Sequence, residues 1–195
     1  ITHEIRTPVT LILAPVEEIM RQKNIPEEIR DDLEVVKRNS ERLLDLVNQI
    51  LDFTKAEQEA FSSQNTWFDI DDLVEKTVQR FTPAAQQKGI QLTHDTPQPI
   101  RICTDREALT KVLSNLLTNA MKFTKDRILV SLTENPEAHT VTISVEDNGT
   151  GIKPTEKEKI FNLFYQSANK PQLPNKGFGI GLAIVSLLVK RMMGK

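Results

Sequence analysis

The amino-acid sequence predicts an α+β protein in which a helical hairpin precedes an α/β sandwich. Residues 1 to about 60 contain no glycine and place their apolar residues at helical spacing. Beyond residue 62, short segments with alternating apolar and polar residues, typical of strands, are interleaved with helical segments. Segregated helices and an antiparallel sheet would form the sandwich. The change of period predicts two domains, 1–61 and 62–195.

Two helices are predicted in the first half, separated by a break at Asn24-Ile25-Pro26. A seven-residue repeat typical of a coiled-coil seam runs through Ile5, Val9, Ile12, Val16, Ile19, Leu33, Val36, Ser40, Leu43, Val47, Ile50 and Thr54. Leu44 and Leu51 widen this apolar stripe. On an isolated hairpin the stripe would be exposed to water, which favours dimerisation into a four-helix bundle. Packing of the stripe against the second half is the alternative.

The second half predicts helices and strands in irregular order. Helices are expected at 70–87, 106–123, 156–164 and 180–193, with Asp105 as the N-cap of the second. Strands are expected at 90–94, 100–103, 128–133 and 141–145. We expect Cys103 and Trp67 to pack in the sandwich, and His94 and His139 to be ordinary surface or strand residues.

Composition excludes several classes of protein. The 195 residues include 25 Lys and Arg and 27 Asp and Glu, so a formal charge of −2 gives no reason to expect a nucleic acid partner. The single cysteine excludes an intramolecular disulfide and a cysteine-rich zinc site. The longest apolar stretch, 180–189, has about half of the roughly 20 residues that a bilayer requires. We therefore expect no membrane-spanning segment and no secretory signal in this sequence.

The first candidate site is the segment His3-Glu4-Ile5-Arg6-Thr7-Pro8 at the start of the first helix. A zinc protease would carry H-E-x-x-H, and Thr7 stands where the second histidine would be. His3 lies about 200° around the helix from Ile5, where the seam begins, so we expect it to face away from the seam. The six residues alone allow a reactive histidine or a solvated surface histidine.

The second candidate site is the segment 115–123, with the sequence NLLTNAMKF. Asn115 and Asn119 lie four residues apart on one helical face, and Lys122 follows one turn later. Amide oxygens are suitable ligands for magnesium, and a lysine supplies positive charge to phosphate. A solvent-facing row of polar residues is the alternative.

Five of the seven glycines form two clusters, within 147–152 (DNGTGI) and 177–182 (GFGIGL). Glycines allow close approach of the backbone to a ligand, and glycine-rich helix starts bind anions. Segment 166–176 between them is polar, contains Pro171 and Pro174, and is expected to form a mobile lid. The first cluster alone is also compatible with an ordinary surface turn, and G-x-G-x-G alone is weak evidence for an anion site.

In this order the four motifs resemble the H, N, G1 and G2 boxes of sensor histidine kinases, and Ile160-Phe161-Asn162-Leu163-Phe164 is similar to the F box. The resemblance covers nearly the whole chain. It implies a dimerisation and phosphoacceptor domain followed by an ATP-binding domain of the histidine kinase, gyrase and Hsp90 type. Segment 7–13 also resembles hybrid sensor kinases of gut Bacteroidetes. Family members extend further at both ends, so we expect this chain to be a truncated piece.

The resemblance implies roles for three residues of the first helix. His3 would be the phosphoacceptor, and its ring nitrogen would attack the γ-phosphate of ATP. Glu4 would orient or deprotonate that imidazole. Thr7 would occupy the position that places water when such enzymes dephosphorylate a response regulator.

The resemblance also implies a site for ATP and Mg²⁺. Asn119 would bind the metal with support from Asn115, Lys122 would contact phosphate, and Asp147 would accept a hydrogen bond from the adenine amine. The complete implied set is Asn115, Asn119, Lys122, Phe123, Asp147, Gly149, Gly151, Ile152, Phe164, Gly177, Gly179, Gly181 and Leu182.

The implied function is autophosphorylation of His3 and transfer to an aspartate of a receiver domain, in the same parent chain or a separate regulator, with phosphatase activity as a further expectation. The chain would be a homodimer in the cytoplasmic portion of a membrane-anchored bacterial sensor, without direct membrane contact. Two alternatives remain. A hydrolytic ATPase of the gyrase type would carry a glutamate where Asn115 stands, and a non-catalytic dimerisation or docking module would have a decayed or incomplete nucleotide site.

Overall fold

The computed structural model describes residues 2–22, 24–58, 64–96, 99–167 and 177–195, apart from the side chains of 2–5 and 58. Most of the predicted lid, 168–176, lies outside these described residues. The chain divides into two compact units, Ile1–Lys55 and Ala56–Lys195. Within the described residues, none of the helices combines the length and apolar character needed to cross a membrane.

The first unit is a helical hairpin of α1 (Thr2–Met20) and α2 (Glu27–Gln58). Glu27 and Glu28 lie in the first turn of α2 and stabilise the start of this helix, because negative charges interact favourably with the positive end of a helix dipole. Arg6 of α1 donates to Asn48 Oδ1 of α2 at 3.1 Å. Farther along, Lys37 of α2 lies 3.6 Å from Glu17 of α1. These contacts run in opposite directions along the two helices, so the predicted antiparallel hairpin is confirmed.

The hairpin buries only one half of its seven-residue repeat. Val9, Val16, Ser40 and Val47 are at most 9% exposed. The alternate set is 39–49% exposed and comprises Ile12, Ile19, Val36, Leu43 and Ile50. Two helices cannot cover an apolar stripe that is wider than one seam. The second set therefore forms an exposed apolar row, which we call the outer row.

In the part of the second unit that the structure describes, five strands form two sheets. β1 (Asn65–Asp69) pairs antiparallel with β3 (Arg101–Asp105). In the other sheet, β4 (Arg127–Asn135) lies between β2 (Gln91–Asp95) and β5 (Thr140–Asp147). β4 pairs antiparallel with β5 but parallel with β2. The expectation of an antiparallel sheet was therefore wrong for β2, because a long connection between β2 and β4 allows parallel pairing.

Helices α3 (Ile70–Gln87), α4 (Arg106–Phe123) and α5 (Gly181–Arg191) complete the second unit. On β4, Ile128, Val130 and Leu132 are at most 3% exposed and alternate with less buried residues, as expected for a strand with one face on a core. The core contributed by α3 and α4 includes Ile70, Leu73, Val74, Val78, Leu109, Leu113, Leu117, Ala120 and Met121. Helices packed against a sheet confirm the predicted sandwich.

Asp105 joins three elements at the start of α4. Its Oδ1 accepts from Ala108 N at 2.9 Å, which confirms the predicted N-cap. Its Oδ2 lies 2.6 Å from Arg191 at the end of α5, and both side chains are at most 9% exposed. A buried ion pair is geometrically demanding, so it fixes the end of α5 against the beginning of α4.

Three local expectations were wrong. The predicted helix at 156–164 consists of two 3₁₀ turns, Pro154–Glu156 and Lys159–Phe161. Cys103 is exposed and Trp67 is 66% exposed. These two residues face each other across β1 and β3, on the side opposite the residues that reach the core. Their apolar character indicated burial, but the strand alternation placed them outside.

Candidate functional site

The second half of α4 carries the predicted amide pair, and Asn115 lies directly against the start of α5. Asn115 Nδ2 donates to the Lys111 carbonyl one turn earlier at 2.9 Å. A Cβ atom added to Gly181 would lie 2.8 Å from Asn115 Oδ1. The amide is thus oriented with its oxygen toward α5, and any side chain at position 181 would require this oxygen to shift. Asn119 follows one turn later and is half-buried.

Lys122 lies beside the second glycine cluster. A Cβ atom added to Gly177 would lie 3.0 Å from Lys122 Nζ. The same ammonium group lies 5.5 Å from the centre of the Phe123 ring. The backbone before α5 and a lysine from α4 therefore meet at one point. Backbone N–H groups at a helix start and an ammonium group together favour an anion.

The first glycine cluster follows β5 and contacts the end of α4. A Cβ atom added to Gly149 would lie 2.0 Å from the carbonyl oxygen of Phe123. Gly149 N donates to Asp147 Oδ1 at 2.8 Å, which holds the carboxylate at the start of the turn. Gly151 has a φ of +67°, in the region that favours glycine, and Ile152 next to it is 42% exposed.

The described ends of the segment that precedes α5 are joined by two hydrogen bonds. Phe164 N donates to the Gly179 carbonyl at 2.9 Å, and Gln166 Nε2 donates to the Gly177 carbonyl at 2.7 Å. Phe164 has a φ of +64° and is 57% exposed. A non-glycine residue in this conformation is strained and is held there by its surroundings.

Glu156 anchors the residues that follow Phe164. It accepts from Tyr165 OH at 3.2 Å and from Ser167 Oγ at 2.8 Å. Partial burial raises the pKa of Tyr165, and the hydrogen bond and negative charge of Glu156 raise it further. The F-box segment is therefore tied both to the second glycine cluster and to the 3₁₀ turn at Pro154–Glu156.

Asn148 was not among the predicted site residues, although its side chain forms hydrogen bonds with four successive residues, 124–127. Asn148 Oδ1 accepts from Thr124 Oγ1 and from the backbone N–H groups of Lys125, Asp126 and Arg127. The available signal was its position before a glycine at a strand end, where asparagine commonly bonds nearby backbone.

The structure brings these parts together into one site. α4 contacts the first glycine cluster through Phe123, and the second through Asn115 and Lys122. The F-box segment contacts the second cluster through Phe164. Leu182 is half-buried in the first turn of α5.

The donor set suits magnesium better than a softer metal. No group of three or more His, Cys, Asp or Glu residues that could hold a metal ion occurs among the described residues. Asn115 and Asn119 offer amide oxygens, and the hydrogen bond to Lys111 orients one of those oxygens toward α5. Mg²⁺ is a hard cation that keeps several of its bound waters and takes only a few oxygen ligands from the protein, which these two amides could supply.

The predicted phosphoacceptor residues belong to the other unit. His3 and Glu4 lie in the first turn of α1, and their side chains are outside the described set. Thr7 lies one turn after His3 and is exposed. The helical backbone therefore puts positions 3 and 7 on one face of α1.

An open groove of about 670 Å³ lies elsewhere in the second unit, between α3 and α4. Its lining consists of Leu73, Lys76, Thr77, Arg80, Arg106, Glu107, Thr110 and Lys111. None of the predicted nucleotide-binding residues lines it. We assign the candidate site to the glycine clusters because several independent contacts converge there.

Comparison with known proteins agrees with this arrangement. Residues 1–59 match the His Kinase A (phospho-acceptor) domain. Residues 104–195 match the family described as histidine kinase-, DNA gyrase B- and HSP90-like ATPase. The chain is 30% identical over 99% of its length to the sensor histidine kinase YcbM of Bacillus subtilis. It is 32% identical over its whole length to the sensor protein GacS of Pseudomonas syringae.

Among solved structures, full-length ShkA in complex with AMPPNP matches 98% of the chain with a TM-score of 0.80 and 29% identity. The chain belongs to the sensor histidine kinases. It spans 63% of YcbM, 22% of GacS and 40% of the ShkA chain. Hybrid kinases are among the relatives, such as hybrid signal transduction histidine kinase D of Dictyostelium discoideum. A Bacteroidetes origin stays a prediction.

Proposed function

We propose that this chain is the core of an ATP-dependent protein-histidine kinase that phosphorylates itself on His3. The observation that carries the proposal is the convergence of α4 with both glycine clusters, at Asn115, Lys122 and Phe123. Separate surface turns would have no reason to meet at the one helix that carries the amide pair. We also propose the domain boundary near residue 62.

Each part of the site has a role toward ATP in this proposal. Asp147 Oδ1 already accepts a hydrogen bond from Gly149 N. Asp147 Oδ2 is therefore the oxygen that would accept a hydrogen bond from the adenine amine. Lys122 and the N-terminus of α5 would bind phosphate oxygens. Asn115 and Asn119 would hold Mg²⁺, which when bound neutralises charge on the phosphates.

Positioning and charge neutralisation then supply most of the catalysis, as in other phosphoryl transfers. A ring nitrogen of His3 attacks the γ-phosphorus, an N–P bond forms, and the P–O bond to the β-phosphate breaks with its electron pair leaving on ADP. Glu4 would orient the imidazole or accept the proton from it. In the second step a receiver-domain aspartate attacks the same phosphorus, forming an O–P bond and releasing the histidine.

The outer row of the hairpin supports a homodimer. Ile12, Ile19, Val36, Leu43 and Ile50 repeat at seven-residue intervals on their helices and are exposed in the single chain. Packing this row against a second hairpin would form the predicted four-helix bundle. Relatives of this chain are named sensor proteins, which supports the proposal that the chain belongs to the cytoplasmic portion of a membrane-anchored sensor. We also propose that the face of α1 that carries Thr7 takes part in removing phosphate from a response regulator.

The test is incubation with γ-labelled ATP and Mg²⁺, followed by acid and base treatment. We expect label that survives base and is lost in acid, as for a phosphohistidine. The chain has three histidines, and His94→Ala on an exposed strand position is the matched control. His3→Ala should lose the label and keep nucleotide affinity, whereas His94→Ala should keep both. Label on His3→Ala, or a wild type without nucleotide affinity, would refute the proposal.

A further inference from the structure

Asn148 connects two parts of the proposed nucleotide site, the end of α4 and the first glycine cluster. α4 ends at Phe123, Thr124 caps it, and β4 begins at Arg127. Asp147 is paired with Ile128 in the register of β5 and β4, so Asn148 lies at the same end of the sheet as this turn. Its backbone N–H donates to the Arg127 carbonyl at 3.3 Å, which extends the ladder by one residue.

The side chain of Asn148 fills the concave side of the α4–β4 turn. Its Oδ1 lies 2.9 Å from Thr124 Oγ1 and 3.1–3.2 Å from three successive backbone nitrogens, those of residues 125–127. Successive N–H groups that point to one centre form a nest for an acceptor. An amide oxygen has two lone pairs, so these four donors share it rather than each forming a full bond.

The nitrogen of the same amide fixes its orientation. Asn148 Nδ2 donates to Asp126 Oδ1 at 2.6 Å. A rotation of the amide by 180° would turn Nδ2 toward the backbone donors and Oδ1 toward the carboxylate. Both changes are repulsive, so only one orientation fits. We call this set of contacts the Asn148 clamp.

We infer that Asn148 is a positioning residue for nucleotide binding, which holds the Asp147–Gly149 turn against the end of α4. Asp147 and Gly149, the neighbours of Asn148, belong to the proposed site. Lys122 and Phe123, just before the clamped turn, belong to it as well. Gly149 meets the Phe123 carbonyl, but that close contact is repulsive if compressed and cannot pull the two parts together. The side-chain hydrogen bonds of the clamp add an attraction to that of the β4–β5 backbone ladder. This inference rests on the proposed ATP site.

The test measures the affinity of the full chain for AMPPNP with Mg²⁺, together with the melting temperature. Asn148→Ala removes the clamp, and we expect the Kd to rise about tenfold, equal to about 1.4 kcal/mol. Asn135→Ala is the matched control, because Asn135 Oδ1 also accepts from a nearby backbone, Ala138 N at 3.0 Å, in the β4–β5 turn. Both variants should lose stability, but only Asn148→Ala should lose affinity.

A reciprocal exchange separates positioning from a general loss of folding. Asn148→Asp alone puts two carboxylates 2.6 Å apart at Asp126, so affinity should fall. Adding Asp126→Asn restores a donor opposite an acceptor, and affinity should return to within about threefold of wild type. Affinity unchanged in Asn148→Ala, equal losses in Asn135→Ala, or no recovery in the exchange would overturn the inference. A wild type that does not bind AMPPNP would instead refute the proposed function itself.

Discussion

Replacement of Gly149 with alanine tests the proposed site at its tightest contact. The added Cβ would lie 2.0 Å from the Phe123 carbonyl oxygen, whereas real contacts essentially never fall below 3.0 Å. The first glycine cluster and the end of α4 must therefore separate by about 1 Å or distort. The obstacle is backbone at the end of a packed helix, so a side-chain rotation cannot relieve it.

The magnitude follows from this displacement. Overpacking of a well-packed region costs about 1–3 kcal/mol of stability. A misplacement of about 1 Å among reacting groups can cost about 10²-fold in rate. We expect the Kd for AMPPNP to rise at least about tenfold and autophosphorylation to fall about 10²-fold.

Gly89→Ala is the matched control for this prediction. Gly89 lies at the end of α3 with a φ of +68°, and an added Cβ would meet nothing within 4 Å. Left-handed backbone makes alanine cost roughly 1 kcal/mol there, without any collision. Both variants should melt earlier than wild type, by roughly 2–4 °C per kcal/mol. Nucleotide affinity should change only in Gly149→Ala. Affinity of Gly149→Ala within twofold of wild type would refute the contact between the first cluster and α4.

Two further predictions concern other parts of the molecule. Leu43→Glu places a charge in the outer row, and a dimer would contain two copies of that charge. We therefore expect the dimer dissociation constant, measured by light scattering, to rise at least about 10²-fold. Val35→Glu, also at an exposed apolar residue of α2 but outside the repeat, should leave the dimer intact, and equal effects would contradict the assignment. Tyr165 is the single tyrosine, so absorbance at alkaline pH reports its titration alone. Its midpoint should lie above about 10, and Glu156→Gln should lower it. Because the fold favours the neutral phenol, stability should fall as pH rises through that midpoint. An unchanged midpoint in Glu156→Gln would contradict the assigned effect of the Glu156 carboxylate on Tyr165.

The sequence determined the parts of this protein that depend on local pattern. Helical spacing and the break at Asn24-Ile25-Pro26 predicted the hairpin, and Asp105 was recognised as a helix cap from its residue type and position. The order of the short motifs was sufficient to indicate the family. Such features are encoded within a few turns or residues, so a single sequence reveals them.

Other features were decided only by the tertiary structure. The parallel pairing of β2 with β4 depends on how a long connection returns to the sheet, and alternation of apolar residues is the same for either direction. Trp67 and Cys103 were expected inside because they are apolar, but the pleat of β1 and β3 turned them outward.

The candidate site shows the same division between local and long-range information. Asp147 and the glycines were found from sequence because their motifs are compact. Asn148 was missed because its partners, in the turn 124–127, are more than twenty residues away along the chain. The seven-residue repeat likewise predicted an apolar stripe, and only helix packing determined that Val9 and Val47 are buried while Leu43 stays exposed. A periodic pattern defines a face of a helix, whereas burial of that face depends on which other element covers it.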